Sequence, residues 1–98
     1  MIELTSKQRK ILEKYAHDLQ PIVLVGGAGV TEGVTKMVDS SLASHELIKV
    51  KFNEFKEDKK ELAQTLAENC NATLVRIIGN VAIFYREAEK KEDRKYTF

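Results

Sequence analysis

The stretch 22-IVLVGGAGVTEGV-34 decides how this chain is to be read. Ile22 to Val25 is an unbroken apolar run of strand length, which predicts a strand buried on both faces. It stops at Gly26-Gly27-Ala28-Gly29, and Thr31 is a residue type that caps helix N-termini well. Strand, glycine turn and helix in that order place the protein among α/β folds.

The neighbouring segments extend the pattern. Upstream, Thr5-Ser6-Lys7-Gln8 has the form of a capping box. Ile11, Leu12, Tyr15, Ala16 and Leu19 then recur at helical spacing, predicting a helix over about Ser6 to His17 that Pro21 cannot continue. Downstream of the glycines, Val34, Met37, Val38, Leu42 and His45 form the inward stripe of a second helix. Ile48, Val50 and Phe52 alternate with Lys49 and Lys51 as a half-buried strand does. The charged stretch from Asn53 to Glu61 reads as a loop and the start of a third helix, with Leu62, Leu66 and Cys70 inward. Leu74–Ile78 and Val81–Arg86 flank Gly79-Asn80, a pair suited to a two-residue hairpin turn. The order is an N-terminal helix and then β-α-β-α-β-β. Right-handed crossovers and the closing hairpin make a mixed four-stranded sheet packed with helices. Residues 1–98 form one domain, and the charged tail from Glu87 to Phe98 is expected to fray or to extend the last strand only briefly.

Composition narrows the function. The chain is 43% hydrophobic and 32% charged, the balance of a globular protein. No apolar run reaches the roughly 18 residues that a membrane span needs. The N-terminus lacks the charged-then-apolar pattern of a secretory signal, and Cys70 is the single cysteine. A reducing cytoplasm is expected. Sixteen basic and fifteen acidic residues leave a formal charge of +1. Any binding to a polyanion therefore requires that charge be sorted onto one surface.

The glycine turn admits few chemistries. A P-loop needs a lysine after its last glycine, and here Val30 and Thr31 follow Gly29. A dinucleotide turn needs G-x-G-x-x-G, whereas Gly27, Gly29 and Gly33 are one residue too widely spaced. G-x-x-G over Gly26, Gly27, Ala28 and Gly29 fits a loop that lets backbone N–H groups approach a nucleic-acid backbone, aided by the helix opening at Thr31. It fits equally a tight corner with no partner. On the first helix Lys7, Lys10, Lys14 and His17 fall within about 80° of arc opposite the apolar face, with Arg9 at its other edge. That stripe reads either as an ordinary solvated face or as a phosphate-binding one. Lys49 and Lys51 add two outward charges on a strand.

Other residues read blandly. Cys70 is a buried thiol with no base to activate it, and His45 an inward, packed histidine. Tyr85 is a core residue. Arg76 and Arg86 pair with nearby acids or meet a ligand. No nucleophile–base pair, carboxylate pair or metal cluster stands out, so no catalysis, cofactor or metal is expected.

Several segments together resemble a known family, the CRM domain (chloroplast RNA splicing and ribosome maturation) in its free-standing bacterial YhbY-type form. They are Leu4 with Lys7-Gln8-Arg9, Ala16-His17, Pro21-Ile22-Val23, Gly26 to Glu32, His45-Glu46-Leu47-Ile48-Lys49-Val50-Lys51, Val75 to Gly79 and Tyr85-Arg86. The resemblance implies an α/β fold similar to the C-terminal domain of translation initiation factor three. It implies RNA binding through the G-x-x-G loop and nearby basic residues: Gly26, Gly27, Ala28, Gly29 and Thr31 with Lys7, Arg9, Lys10, Lys14, His17, Lys49 and Lys51. The RNA it implies is ribosomal, in the precursor of the large subunit whose assembly the protein assists; the binder is expected to be a monomer, with no membrane and no small-molecule substrate. Many relatives carry lysine where this chain has Gly27, so a loop charge is missing here. The alternative is a protein-interaction adaptor of the translation machinery, whose mark would be an exposed apolar patch.

Overall fold

The computed structural model describes residues 3–53, 58–96 and 98, and contains three helices and four strands. The elements are α1 (Ser6–Ala16), β1 (Pro21–Val25), α2 (Glu32–His45), β2 (Leu47–Phe52), α3 (Lys59–Asn69), β3 (Thr73–Ile78) and β4 (Val81–Tyr85), with a 3-10 turn over Lys91–Asp93. The sheet order is β1-β2-β4-β3; β1 and β2 are parallel and the other neighbours antiparallel. This is the mixed four-stranded α/β architecture expected from the pattern. The segment 54–57, part of the charged stretch read as a loop, lies outside the described residues.

Local chemistry starts and stops these elements as anticipated. Thr5 Oγ1 accepts from Gln8 N, and the Gln8 side chain accepts from Thr5 N, completing the capping box. Thr31 caps α2 by accepting from Val34 N. Gly79, at φ +60°, turns the β3–β4 hairpin. Helix α3 ends through Asn71 in the left-handed region, φ 52°. Ala72 N reaches Ala67 O and Asn71 N reaches Glu68 O, the two bonds of a Schellman closure.

Two apolar clusters lie on opposite faces of the sheet. On one face α2 and α3 cover Val23, Val25, Ile48, Val50, Phe52 and Phe84 with Val38, Leu42, Ala63 and Leu66. On the other, α1 contributes Leu12 and Ala16 against Leu47, Val75, Ile83 and Tyr85. Strand β2 is central, and its alternation supplies both clusters: Ile48, Val50 and Phe52 to one side, Leu47 to the other.

Four expectations are corrected. Strand β1 is an edge strand buried on one face only. Ile22 and Leu24 remain 45% and 56% exposed, because α1 stops short of them and no β-neighbour lies beyond. Met37 and His45 are exposed rather than inward. Met37 lies to the side of the Val34–Val38–Leu42 row, and His45 is the last residue of α2, where the chain already turns through Glu46. Tyr15 stands at the rim of the α1 face, 47% exposed, with its ring edge-on to Tyr96 at 5.1 Å between centroids.

The tail expected to fray is instead tied back. The carboxylate of Glu46, 2% exposed, accepts from the backbone N–H of Ala88 (2.8 Å) and of Lys95. Lys95 Nζ donates to Ser44 O, Arg94 bridges Glu87, and Tyr96 and Phe98 pack on the α1-side cluster. Residues whose charges look solvated in one dimension find partners in three.

Candidate nucleic-acid interface

Helix α1 lies over one half of its sheet face, and strand register shows which half. Three rows of paired residues cross that face. Leu47, Tyr85 and Thr73 form the first, which is buried. Pro21, Lys49, Ile83 and Arg76 form the second, at the edge of α1. Leu24, Lys51, Val81 and Ile78 form the third, beyond it. Glycine loop 26–29 leaves β1 one residue past this outermost row.

A groove runs along the α1 edge, lined by Lys10, Glu13, Lys14 and His17 from the helix and Lys49, Ile78 and Ile83 from the sheet. The structure thus brings Lys10, Lys14, His17 and Lys49 together, with Lys51 in the next row. Lys7 continues the same stripe one turn earlier. Glu13 is the acid in the groove, and Arg76 holds it at 3.0 Å, so its charge is locally matched. Lys49 Nζ donates to His17 O (3.3 Å) and Leu19 O (3.0 Å), closing the carbonyl end of α1 while its charge stays at the groove.

Arg9 is placed elsewhere. Its guanidinium donates to Leu74 O and Val75 O, both at 2.7 Å, at the bulge of edge strand β3. It stitches α1 to the sheet. The other three arginines are similarly engaged: Arg76 with Glu13, Arg86 with Asp39 (2.6 Å) and Cys70 O (2.8 Å), Arg94 with Glu87 (3.1 Å) and Ala88 O. Among the described residues Lys7, Lys10, Lys14 and Lys51 carry no ion pair. Free positive charge on this face is therefore lysine, which meets phosphate as a point charge, while arginine geometry serves internal bonding.

The glycine loop is a β-turn closed by Gly29 N donating to Gly26 O at 3.0 Å. Only Gly29, at φ +74°, occupies a backbone region that side chains avoid. A Cβ at Gly26 or Gly27 would meet nothing within 4 Å. The fold itself places no demand for glycine at these two positions. The start of α2 beside the loop is not simply positive, since Glu32 opens the helix and pairs with Lys36 at 3.3 Å.

Acids gather on another side. The cleft between the ends of α2 and α3 and the tail is lined by Asp39, Glu46, Glu87, Glu89 and Asp93, against Arg86, Lys90 and Lys95. A chain with a formal charge of +1 thus sorts its charge, basic along α1 and β2 and mixed-acidic across the opposite cleft. Cys70 is buried near that cleft and its thiol is pushed up by burial, then by the Asp39 carboxylate, as suits a packed thiol. Glu46 entered the sequence reading only within the family-matching block, with no role assigned to it. Its signal was an acid wedged between a helix end and an apolar strand. Among the described residues no group of three His, Cys, Asp or Glu side chains is gathered as metal ligands. No helix among them is long and apolar enough to cross a membrane.

Three helices and a four-stranded mixed sheet with one half-covered, lysine-bordered face define a small α/β domain. The chain belongs to the CRS1 / YhbY (CRM) domain family, which matches residues 4–86. A Haemophilus influenzae protein named "RNA-binding protein" is 37% identical over 91 residues, covering 92% of each chain. Bacillus subtilis YqeI, named a probable RNA-binding protein, is 37% identical over 90 residues, 91% of this chain and 94% of its own. The solution structure of SAV1595 from Staphylococcus aureus, a candidate RNA-binding protein, superposes with a TM-score of 0.80. It is 39% identical and covers 97% of this chain and 100% of its own.

Proposed function

We propose that this protein is a non-catalytic RNA-binding factor that uses the α1 edge of its sheet as the contact surface. The observation that carries this reading is the convergence of Lys10, Lys14 and Lys49 on one groove whose acid, Glu13, is already paired. The RNA-binding names of the relatives support it. Lys7 and Lys51 extend the same positive surface, His17 lines the groove beside it, and the glycine loop offers backbone N–H groups at its far end. Arg9 acts there as a structural stitch. Family resemblance directs the finer reading: ribosomal RNA in the precursor of the large subunit, bound in the cytoplasm by a monomer during assembly.

Three measurements test it. Reversing Lys7, Lys10 and Lys14 to glutamate should lower affinity for structured RNA severely while the thermal transition stays in place, since all three side chains are exposed. Salt should weaken binding by the native chain, with log K falling about 0.7–0.9 per log unit of salt for each phosphate neutralised. Undiminished affinity in the triple variant would remove α1 from the interface. Cross-linking in cells followed by sequencing should enrich large-subunit precursor RNA; enrichment elsewhere would replace the ribosomal assignment. A protein-adaptor role is the second reading, favoured by the exposed side chains of Ile22, Leu24 and Ile78.

A further inference from the structure

Two of those apolar side chains, Leu24 and Ile78, lie in one row. Leu24, Lys51, Val81 and Ile78 are paired in register across all four strands, spanning about 14 Å at the usual strand spacing. They project on the α1 face, opposite Val50 and Phe52, but lie beyond the helix and belong to neither core cluster. Leu24 and Ile78 are 56% and 54% exposed, and no described helix covers them. The row is apolar at both ends with one lysine in the middle. The groove holding Lys10, Lys14 and Lys49 borders it on one side, and the glycine loop leaves β1 at its other.

From this placement we infer that the outer row seats unpaired nucleotides of the RNA, their bases lying on Leu24, Val81 and Ile78 while Lys10, Lys14 and Lys51 take the adjoining phosphates. The inference rests on the RNA-binding reading above and specifies the RNA class as single-stranded. The physical reason is a matching of surfaces. A duplex keeps its base faces stacked inside and would press a charged, hydrated backbone against aliphatic side chains. An unpaired segment offers apolar base faces and an accessible phosphate chain together, and the row with its lysine border offers the complement of each. Leu24, Val81 and Ile78 are aliphatic, so contact with this row of described residues is through aliphatic surface. Binding of that kind tolerates any base, and the free lysines add charge without reading base edges.

The test compares the full-length chain on a short unstructured ribo-oligonucleotide and on the same sequence as a blunt duplex, at one ionic strength. The native chain should favour the single strand by about tenfold, in line with roughly 55 Å² of apolar surface taken out of water at about 25 cal/mol per Å². Leu24→Asn with Ile78→Asn should bring the ratio of the two affinities close to one, whereas Leu24→Val with Ile78→Val should keep it. Both positions are exposed, and matching melting curves establish that the variants are folded. Equal affinity of the native chain for the two RNAs, or a ratio that survives the asparagine pair, overturns the inference and leaves the row to a protein partner. A separate pair, Lys10→Glu with Lys14→Glu, should weaken binding to both RNAs. If the native chain binds neither RNA, the RNA-binding reading falls with it; if this pair weakens neither, the phosphate contacts at Lys10 and Lys14 fall, and the inference with them.

Discussion

Gly29 and Gly27 stand two residues apart in one loop and answer to different causes. Gly29 has φ +74°, where an L side chain costs roughly 1–2 kcal/mol, so Gly29→Ala should lower stability by about that amount in a denaturant titration. Gly27 has open space around its Cβ position and no positive φ, so Gly27→Ala should leave stability within about 0.5 kcal/mol. Any affinity that Gly27→Ala loses would then report on a ligand close to the loop backbone. Gly27→Lys should bind RNA more tightly, because it adds a charge at the edge of a basic face; weaker binding would argue against a phosphate near the loop. Glu46 makes the opposite point. It adopts φ 63° without being glycine, its N–H donates to Leu42 O, its carbonyl accepts from Arg86 N, and its carboxylate holds the tail. One strained residue closes α2, aligns β2 with the end of β4 and anchors the C-terminus.

Among the elements, the tail and α1 are coupled through the same cluster. Tyr96 and Phe98 pack beside Leu12 and Ala16, with the Tyr85 ring edge-on to both aromatics at 6.5 Å and 5.4 Å. Glu46→Ala would strand the N–H groups of Ala88 and Lys95 and should cost about 2 kcal/mol or more. Limited proteolysis within residues 87–98 should accelerate in parallel; a tail that stays protected would show that aromatic packing alone suffices. The edge strand β1 is the other informative element. Its apolar run has the composition of a central strand, yet half of its side chains face outward. Such an edge is open to association unless charge or a partner covers it.

For the whole molecule, charge sums to only +1 but is polar in arrangement, so salt and pH act through different places. Salt should act on RNA affinity through α1 and β2, as argued above. Alkaline pH should act on the fold through the aromatic cluster. Burial, reinforced by Glu46 and Glu87, pushes the Tyr85 hydroxyl up from 10.0 to about 12. The unfolded chain therefore loses this proton first, and the contribution of neutral Tyr85 is fully present below pH 10 and lost as pH rises toward 12. A shift of that size corresponds to about 2–3 kcal/mol. Tyr85→Phe should flatten the fall in urea stability between pH 9 and pH 11, measured beside the native chain so that lysine titration cancels. An unchanged slope would place the alkaline sensitivity elsewhere.

Much of this was legible in one dimension because it depends on near neighbours. Capping at Thr5 and Thr31, the Gly79 turn, the alternation of β2 and the lysine stripe of α1 are set by residues within a few positions of one another. So was the α/β class, since the element order and the right-handed crossover leave few arrangements. Long-range pairing decided the rest. Whether Ile22–Val25 lies at the centre or the edge of the sheet depends on strand order, which no property of β1 encodes. Whether Arg9 is free or bonded depends on carbonyls more than sixty residues away, at Leu74 and Val75. The docking of the tail depends on a carboxylate at Glu46 that meets it only in the folded chain. The sequence by itself determined the elements and the supply of positive charge. Tertiary structure decided which charges remain free and which apolar row remains uncovered, because both follow from what each side chain meets after the sheet has closed.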